Sequence, residues 1–155
     1  MVMMTARSMA LCCIYLLCSG CCHVPDVDRH FSTDGPYETV RYFRYAIDAG
    51  QYPAAYRCLS GTSQDRVSAL AFEAMLRFAD VPQLGDIPLM ELLVYSSIDP
   101  VPEPISAGEP DQWVTLIWFS EEQLIEYSLM LQPDSTGQWQ IDLLLTRGVD
   151  LGGAM

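Results

Sequence analysis

The sequence contains no lysine and only two histidines, His23 and His30. Its eight basic residues are all arginine, set against twenty Asp and Glu. Without lysine there is no Schiff-base amine and no phosphate-loop lysine. Both histidines precede the first regular helical pattern, which excludes a Ser–His or Cys–His couple within the folded part. A histidine-rich metal site is excluded on the same ground. A formal charge of −12 argues against nucleic acid, because phosphate contact needs a basic face. Cysteine is scarce beyond the N-terminus: five of the six lie between Cys12 and Cys22, so there is no disulfide framework. No pattern calls for a cofactor or a metal ion. What is present is apolar bulk, half of 155 residues, enough for one folded domain with little left for a second.

The N-terminus reads as an address. Arg7 is followed by an apolar run from Met9 to Cys18, about the length of a signal-peptide core and shorter than the roughly 20 residues of a bilayer span. The run closes on Cys18-Ser19-Gly20-Cys21. This resembles the lipobox of bacterial lipoproteins, with Cys18 standing where leucine is usual. The resemblance implies that Cys21 becomes the lipidated N-terminus. It also implies a location on the non-cytoplasmic side of a membrane, in the cell envelope. An ordinary secretory signal and an uncut anchor are the alternatives; the first makes the domain a secreted one. The expected organisation is a signal peptide over 1–20, a lipidated cysteine and tether over 21–35, a domain over 36–147 and a flexible tail over 148–155. Loss of residues 1–20 removes Arg7 and no acid, leaving −13. Such a chain is repelled by anionic headgroups, so attachment would rest on acyl chains. Of the later cysteines, Cys58 falls on an apolar helix face and reads as a buried free thiol.

Residues 23–35 carry Pro, Asp and Gly with no steady period and read as a solvated tether, its two histidines included. Gly35-Pro36 then opens a helix, with Val40, Phe43 and Ile47 on one face and Gly50 as its stop. A short helix is expected from Pro53 to about Leu59. A third follows Thr62-Ser63, with Val67, Leu70, Ala71, Ala74, Met75 and Phe78 at i, i+3, i+4, i+7, i+8 and i+11. That is the cleanest helical stripe in the chain, and it predicts a core-facing side. Pro82, Gly85 and Pro88 interrupt the next stretch. The apolar run Leu89–Ser97 fits strand or helix, and strand is expected over Leu92–Ile98.

The last third reads as sheet. Trp113–Phe119 is rich in aromatic and β-branched residues. Ile125, Tyr127, Leu129 and Leu131 alternate with Glu126, Ser128, Met130 and Gln132, a strand with one wetter face, and Trp139, Ile141, Leu143 and Leu145 alternate with Gln140, Asp142, Leu144 and Thr146. A hairpin loop is expected over Pro133–Gly137. About three helices followed by three or four antiparallel strands predict an α+β fold. The text from Gly35 to Phe43, then Ala49-Gly50-Gln51-Tyr52-Pro53-Ala54-Ala55-Tyr56, resembles the opening of the nuclear-transport-factor-two-like superfamily, with Gln51 in place of an Asp. The resemblance implies a cone-like domain over about 36–146 whose mouth lies between helices and sheet. That superfamily includes isomerases, dehydratases, cyclases, adaptor domains and lipoproteins, so the fold leaves function open.

Candidate pocket residues are Tyr42, Tyr45 and Tyr56 on the first helices, Tyr127 on a strand, and Asp142. The tyrosines either line a site for an apolar ligand or pack the core edge with wet hydroxyls. Asp142 and Glu126 fall out of phase with their apolar neighbours and are expected on the wetter face. If buried instead, either could serve as a base of the kind isomerases use. Glu121, Glu122 and Glu126 read as a solvated turn. Two functions remain. One is a membrane-tethered, non-catalytic module that binds an envelope protein or a small ligand. The other is a small-molecule isomerase or cyclase. The second fails if Phe43, Phe78, Leu129 and Trp139 fill the cone.

Overall fold

The computed structural model describes residues 26–99, 111–121 and 123–152. The order is α1 (Val27–His30), α2 (Pro36–Asp48), α3 (Tyr52–Arg57), α4 (Gly61–Arg66), α5 (Ala69–Phe78), β1 (Asp80–Val81), β2 (Ile87–Pro88), α6 (Leu89–Tyr95), β3 (Ser97–Ile98), β4 (Gln112–Phe119), β5 (Leu124–Pro133) and β6 (Trp139–Asp150). A single 3-10 turn, Pro82–Leu84, lies between β1 and β2. The fold is α+β. Strands β3-β4-β5-β6 form one antiparallel sheet in chain order, and β1 and β2 form a separate small ribbon.

Helix α2 forms where its signals place it: Gly35 is the N-cap, Pro36 begins the helix, and Gly50 follows at φ +68°. Val40, Phe43 and Ile47 are fully or almost fully buried. They share one core with Leu92 and Leu93 of α6 and with Val114, Leu116, Ile125, Leu129, Leu131 and Ile141 of the sheet. The hairpin between β5 and β6 is closed by Asp134, whose Oδ1 accepts from the N–H groups of Thr136 (2.7 Å) and Gln138 (3.0 Å).

Four expectations need correction. There are six described helices rather than about three. The expected third helix is two, α4 and α5, because the Ser68 hydroxyl caps a new N-terminus by accepting from Ala71 N–H at 3.2 Å. The stripe on α5 faces solvent: Leu70 is 78% and Phe78 81% exposed, while Phe72 and Leu76 face the core. Residues Leu92–Tyr95 are helical, and strand is confined to Ser97–Ile98. Arg44 of α2 decides this by closing the C-terminal end of α6. Its guanidinium donates to Leu93 O and Val94 O, both at 2.6 Å, and to Ser96 O.

The tether is also shorter than expected. From Asp26 onward the chain packs on the domain, with Val27 fully buried. Asp26 caps α1 through the N–H of Asp28. At the other end β6 continues to Asp150, pairing with β5 as far as Ile125, so the residues up to 150 are not tail.

Strands β5 and β6 pair around a large bulge. Ser128 faces Arg147 and Met130 faces Asp142, so Leu129 alone stands opposite residues 143–146. Beside the bulge, residues 58–60 run parallel to the edge of β6. Ser60 N–H donates to Ile141 O and Ile141 N–H to Cys58 O, each at 2.8 Å. These bonds carry the end of α3 against the start of β6 and fix one wall of the site.

Candidate functional site

A cleft of about 590 Å³ opens where α1, α2, α3 and the first residues of β6 converge. Its lining includes Asp28, Phe31, Tyr42, Arg57, Gln64 and Trp139. Val27 anchors α1 in the core and so holds Asp28 at the rim. The segment after α1 is pinned to β6 by Trp139 N–H donating to Thr33 O at 3.3 Å. Of the lining residues, only Tyr42 was a candidate from sequence.

The polar centre of the cleft is a three-membered network. One Arg57 Nη donates to both oxygens of Asp28 (3.1 and 3.0 Å) and to the Tyr42 hydroxyl oxygen (3.1 Å). The Tyr42 hydroxyl in turn donates to Asp28 Oδ1. The Asp28 carboxyl lies below its ordinary value because it accepts from Tyr42 and has the Arg57 charge beside it. Burial and the neighbouring Asp28 push the Tyr42 phenol up to about 12. Cys58 stands in the wall as a buried free thiol, as the sequence implies. Its Sγ is 3.6 Å from Ala54 O, and burial pushes the thiol up to about 12 despite the nearby Arg57. It is therefore protonated and a poor nucleophile at neutral pH.

The other candidates lie elsewhere. Tyr45 stacks on Phe31, centroids 4.7 Å apart, and faces a separate shallow groove with Arg44 and Asp48. The Tyr56 hydroxyl donates to Val67 O at 2.8 Å and holds the α4–α5 junction. Tyr127 is buried in the core against the helices, and burial raises its phenol. Asp142 is a correction: it is 5% exposed rather than on a wetter face. The bulge breaks the alternation, and α4 covers the side chain. Asp142 Oδ1 accepts from the Ser63 hydroxyl (3.1 Å) and from Leu144 N–H (2.9 Å). Ser63 Oγ also accepts from Leu143 N–H at 3.0 Å and from the Ser60 hydroxyl at 3.1 Å. Asp142 thus closes the bulge and does not line the cleft. Glu126 is exposed, as expected.

The space between α2 and the sheet is occupied by Phe43 and Leu129, both fully buried, whereas Phe78 points to solvent and Trp139 forms cleft wall. Sequence reasoning missed Asp28 and Arg57. The usable signal was Asp26-Val27-Asp28, an N-cap followed by one apolar residue inside a segment read as solvated. Cys21 lies outside the described residues. Among the described residues no helix is long and apolar enough to cross a membrane. No group of three or more His, Cys, Asp or Glu among them could hold a metal ion. No family model, no curated protein and no solved structure matches the chain.

Proposed function

We propose that the chain is an envelope lipoprotein, anchored by acyl chains on Cys21, whose domain is a non-catalytic binding module of the cone-like kind the sequence resembles. The observation that carries the binding role is the cleft: a preformed, open concavity with polar groups converging on it. The anchor is supported by Cys18-Ser19-Gly20-Cys21 at the end of an apolar run.

The titratable groups of the cleft favour binding over proton transfer. A general base works best with a pKa near the operating pH. Asp28 is ion-paired and held below its ordinary value, while Tyr42 and Cys58 are pushed up to about 12. None of the three sits where an isomerase or cyclase would need it. Asp142, the other carboxylate considered for that role, is engaged in the bulge.

The anchor is tested by intact mass of the chain recovered from a membrane fraction, beside Cys21→Ser. A mass beginning at Cys21 plus acyl chains, lost in the variant, is the expected result. An unmodified chain, or cleavage elsewhere, overturns the anchor. Binding at the cleft is tested by thermal-shift screening of small polar ligands. The expected stabilisation disappears in Gln138→Ala, a change at an exposed cleft residue.

A further inference from the structure

We infer that the cleft takes a neutral, polyhydroxylated ligand, a saccharide, and takes it close to the membrane surface; the second half rests on the anchor proposed above. The cleft holds Asp28, Asp34 and Arg57, and Arg57 is already matched by Asp28. Nothing cationic is left over for a phosphate or carboxylate, and the chain as a whole carries −12. A polyamine would find only Asp34, an exposed carboxylate at the rim.

The remaining polar groups are amides and hydroxyls. Gln64, Gln138 and Gln140 line the cleft with Ser32 and Thr33. An amide side chain both donates and accepts, and so does a hydroxyl. Sugar hydroxyls do the same, so such a lining can satisfy several of them at once. Among the described residues the side chains of Ser32, Asp34 and Gln138 make no hydrogen bond, which leaves them available to a ligand. Gln64 uses its amide nitrogen on Tyr56 O and Leu59 O. That holds the side chain in place at the cleft wall. Phe31 and Trp139 add half-buried aromatic surface for the C–H face of a sugar ring.

Chain length places the site. Val27 is fully buried, so only residues 22–26 separate Cys21 from the domain. At about 3.5 Å per residue that span cannot exceed roughly 20 Å. Asp28, on the cleft rim, follows Val27 directly. A lipid-anchored chain would therefore hold its cleft beside the bilayer, within reach of sugars displayed there as well as of free oligosaccharides.

The test uses the full chain extracted in a detergent without a sugar headgroup. Probes are neutral di- and trisaccharides of gluco, galacto, manno and N-acetylglucosamine configuration, with inorganic phosphate and spermidine as charged comparisons. Calorimetry should show saturable binding of at least one neutral sugar, weakened tenfold or more by Gln138→Ala and by Trp139→Phe, with circular dichroism as the check that each variant stays folded. Vesicles carrying a glucosyl diacylglycerol form a second arm. Tighter binding there than to the free sugar assigns the ligand to the membrane surface; the reverse assigns it to a free oligosaccharide. Absence of saturable sugar binding at about 10 mM, a level that captures even millimolar affinities, overturns the inference. So does tighter binding of phosphate or spermidine. Intact mass at Cys21 reports the anchor independently, so failure of one reading is distinguishable from failure of the other.

Discussion

The guanidinium of Arg57 lies 3.0 Å from the carboxylate of Asp28, joining the end of α3 to α1 across the rim of the cleft. Both side chains are more than half exposed, so the pair adds little to global stability, about 0–1 kcal/mol. Its effect is local, because α1 is a single turn and among the described residues has no other ion pair to the rest of the domain. Arg57→Met is expected to leave the unfolding midpoint nearly unchanged while hydrogen-exchange protection of α1 falls several-fold. A large drop in midpoint would mean that α1 is held by this pair and not by Val27.

The same pair sets a pH dependence. The Asp28 carboxyl is depressed first by the Tyr42 hydrogen bond and then by Arg57. A depressed folded value means the contribution is complete above the ordinary value of 3.8 and is lost as pH falls through the lower folded value. Protection of α1 should thus hold constant from neutral pH to about pH 5 and collapse only in stronger acid. Loss of protection between pH 5 and 7 would contradict the assignment, since no carboxyl in this network titrates there.

Asp142 and Ser63 should behave as structural residues. Replacing Asp142 by Leu leaves the buried Ser63 hydroxyl and the N–H of half-exposed Leu144 without their acceptor, at a cost of about 2–3 kcal/mol. Asp142→Asn keeps one acceptor oxygen and should cost about 1 kcal/mol. Ser63→Ala should fall between the two. Urea denaturation gives all three values, and sugar binding at the cleft should survive in each folded variant.

Arg44 offers a comparable case with a different partner type. Among the described residues it pairs with no carboxylate; it donates to the backbone carbonyls of Leu93, Val94 and Ser96. Burial pulls its pKa down, but an arginine remains charged. Arg44→Met should destabilise by about 2–3 kcal/mol by stranding these acceptors. Arg44→Lys should recover only part, since an ammonium lacks the planar fork.

On α5 the sequence pattern and the structure make opposite forecasts. If the stripe faced the core, Leu70→Glu and Phe78→Glu would unfold the domain. With these residues 78% and 81% exposed, each should change stability by less than about 0.5 kcal/mol. Phe72→Ala, which removes a ring 2% exposed and set against Phe43 and Tyr56, should cost about 3–5 kcal/mol. Thermal and urea unfolding of the three variants decides the matter.

The elements that local chemistry dictates were legible in the sequence. Gly35-Pro36 and Gly50 bounded α2, and two-residue alternation located β5 and β6. A helix cap and a strand period are properties of a few neighbouring residues, so they can be read along a line. The same holds for Cys58, which its place on an apolar helix face marked for burial. Where each amphipathic face points is a different kind of fact. The α5 stripe has ideal spacing, yet Ser68 restarts the helix and turns Phe72 and Leu76 inward. Leu92–Tyr95 could have been strand; Arg44, almost fifty residues earlier, supplies the donors that end it as a helix. Asp142 was expected in water because alternation was extrapolated through a bulge, and Ser63 then provided the partner that burial requires. The cleft joins Asp28, Tyr42, Arg57 and Trp139 from four separate elements. Only packing brings such residues together, because hydrogen bonds and burial depend on distance in space and not on separation along the chain.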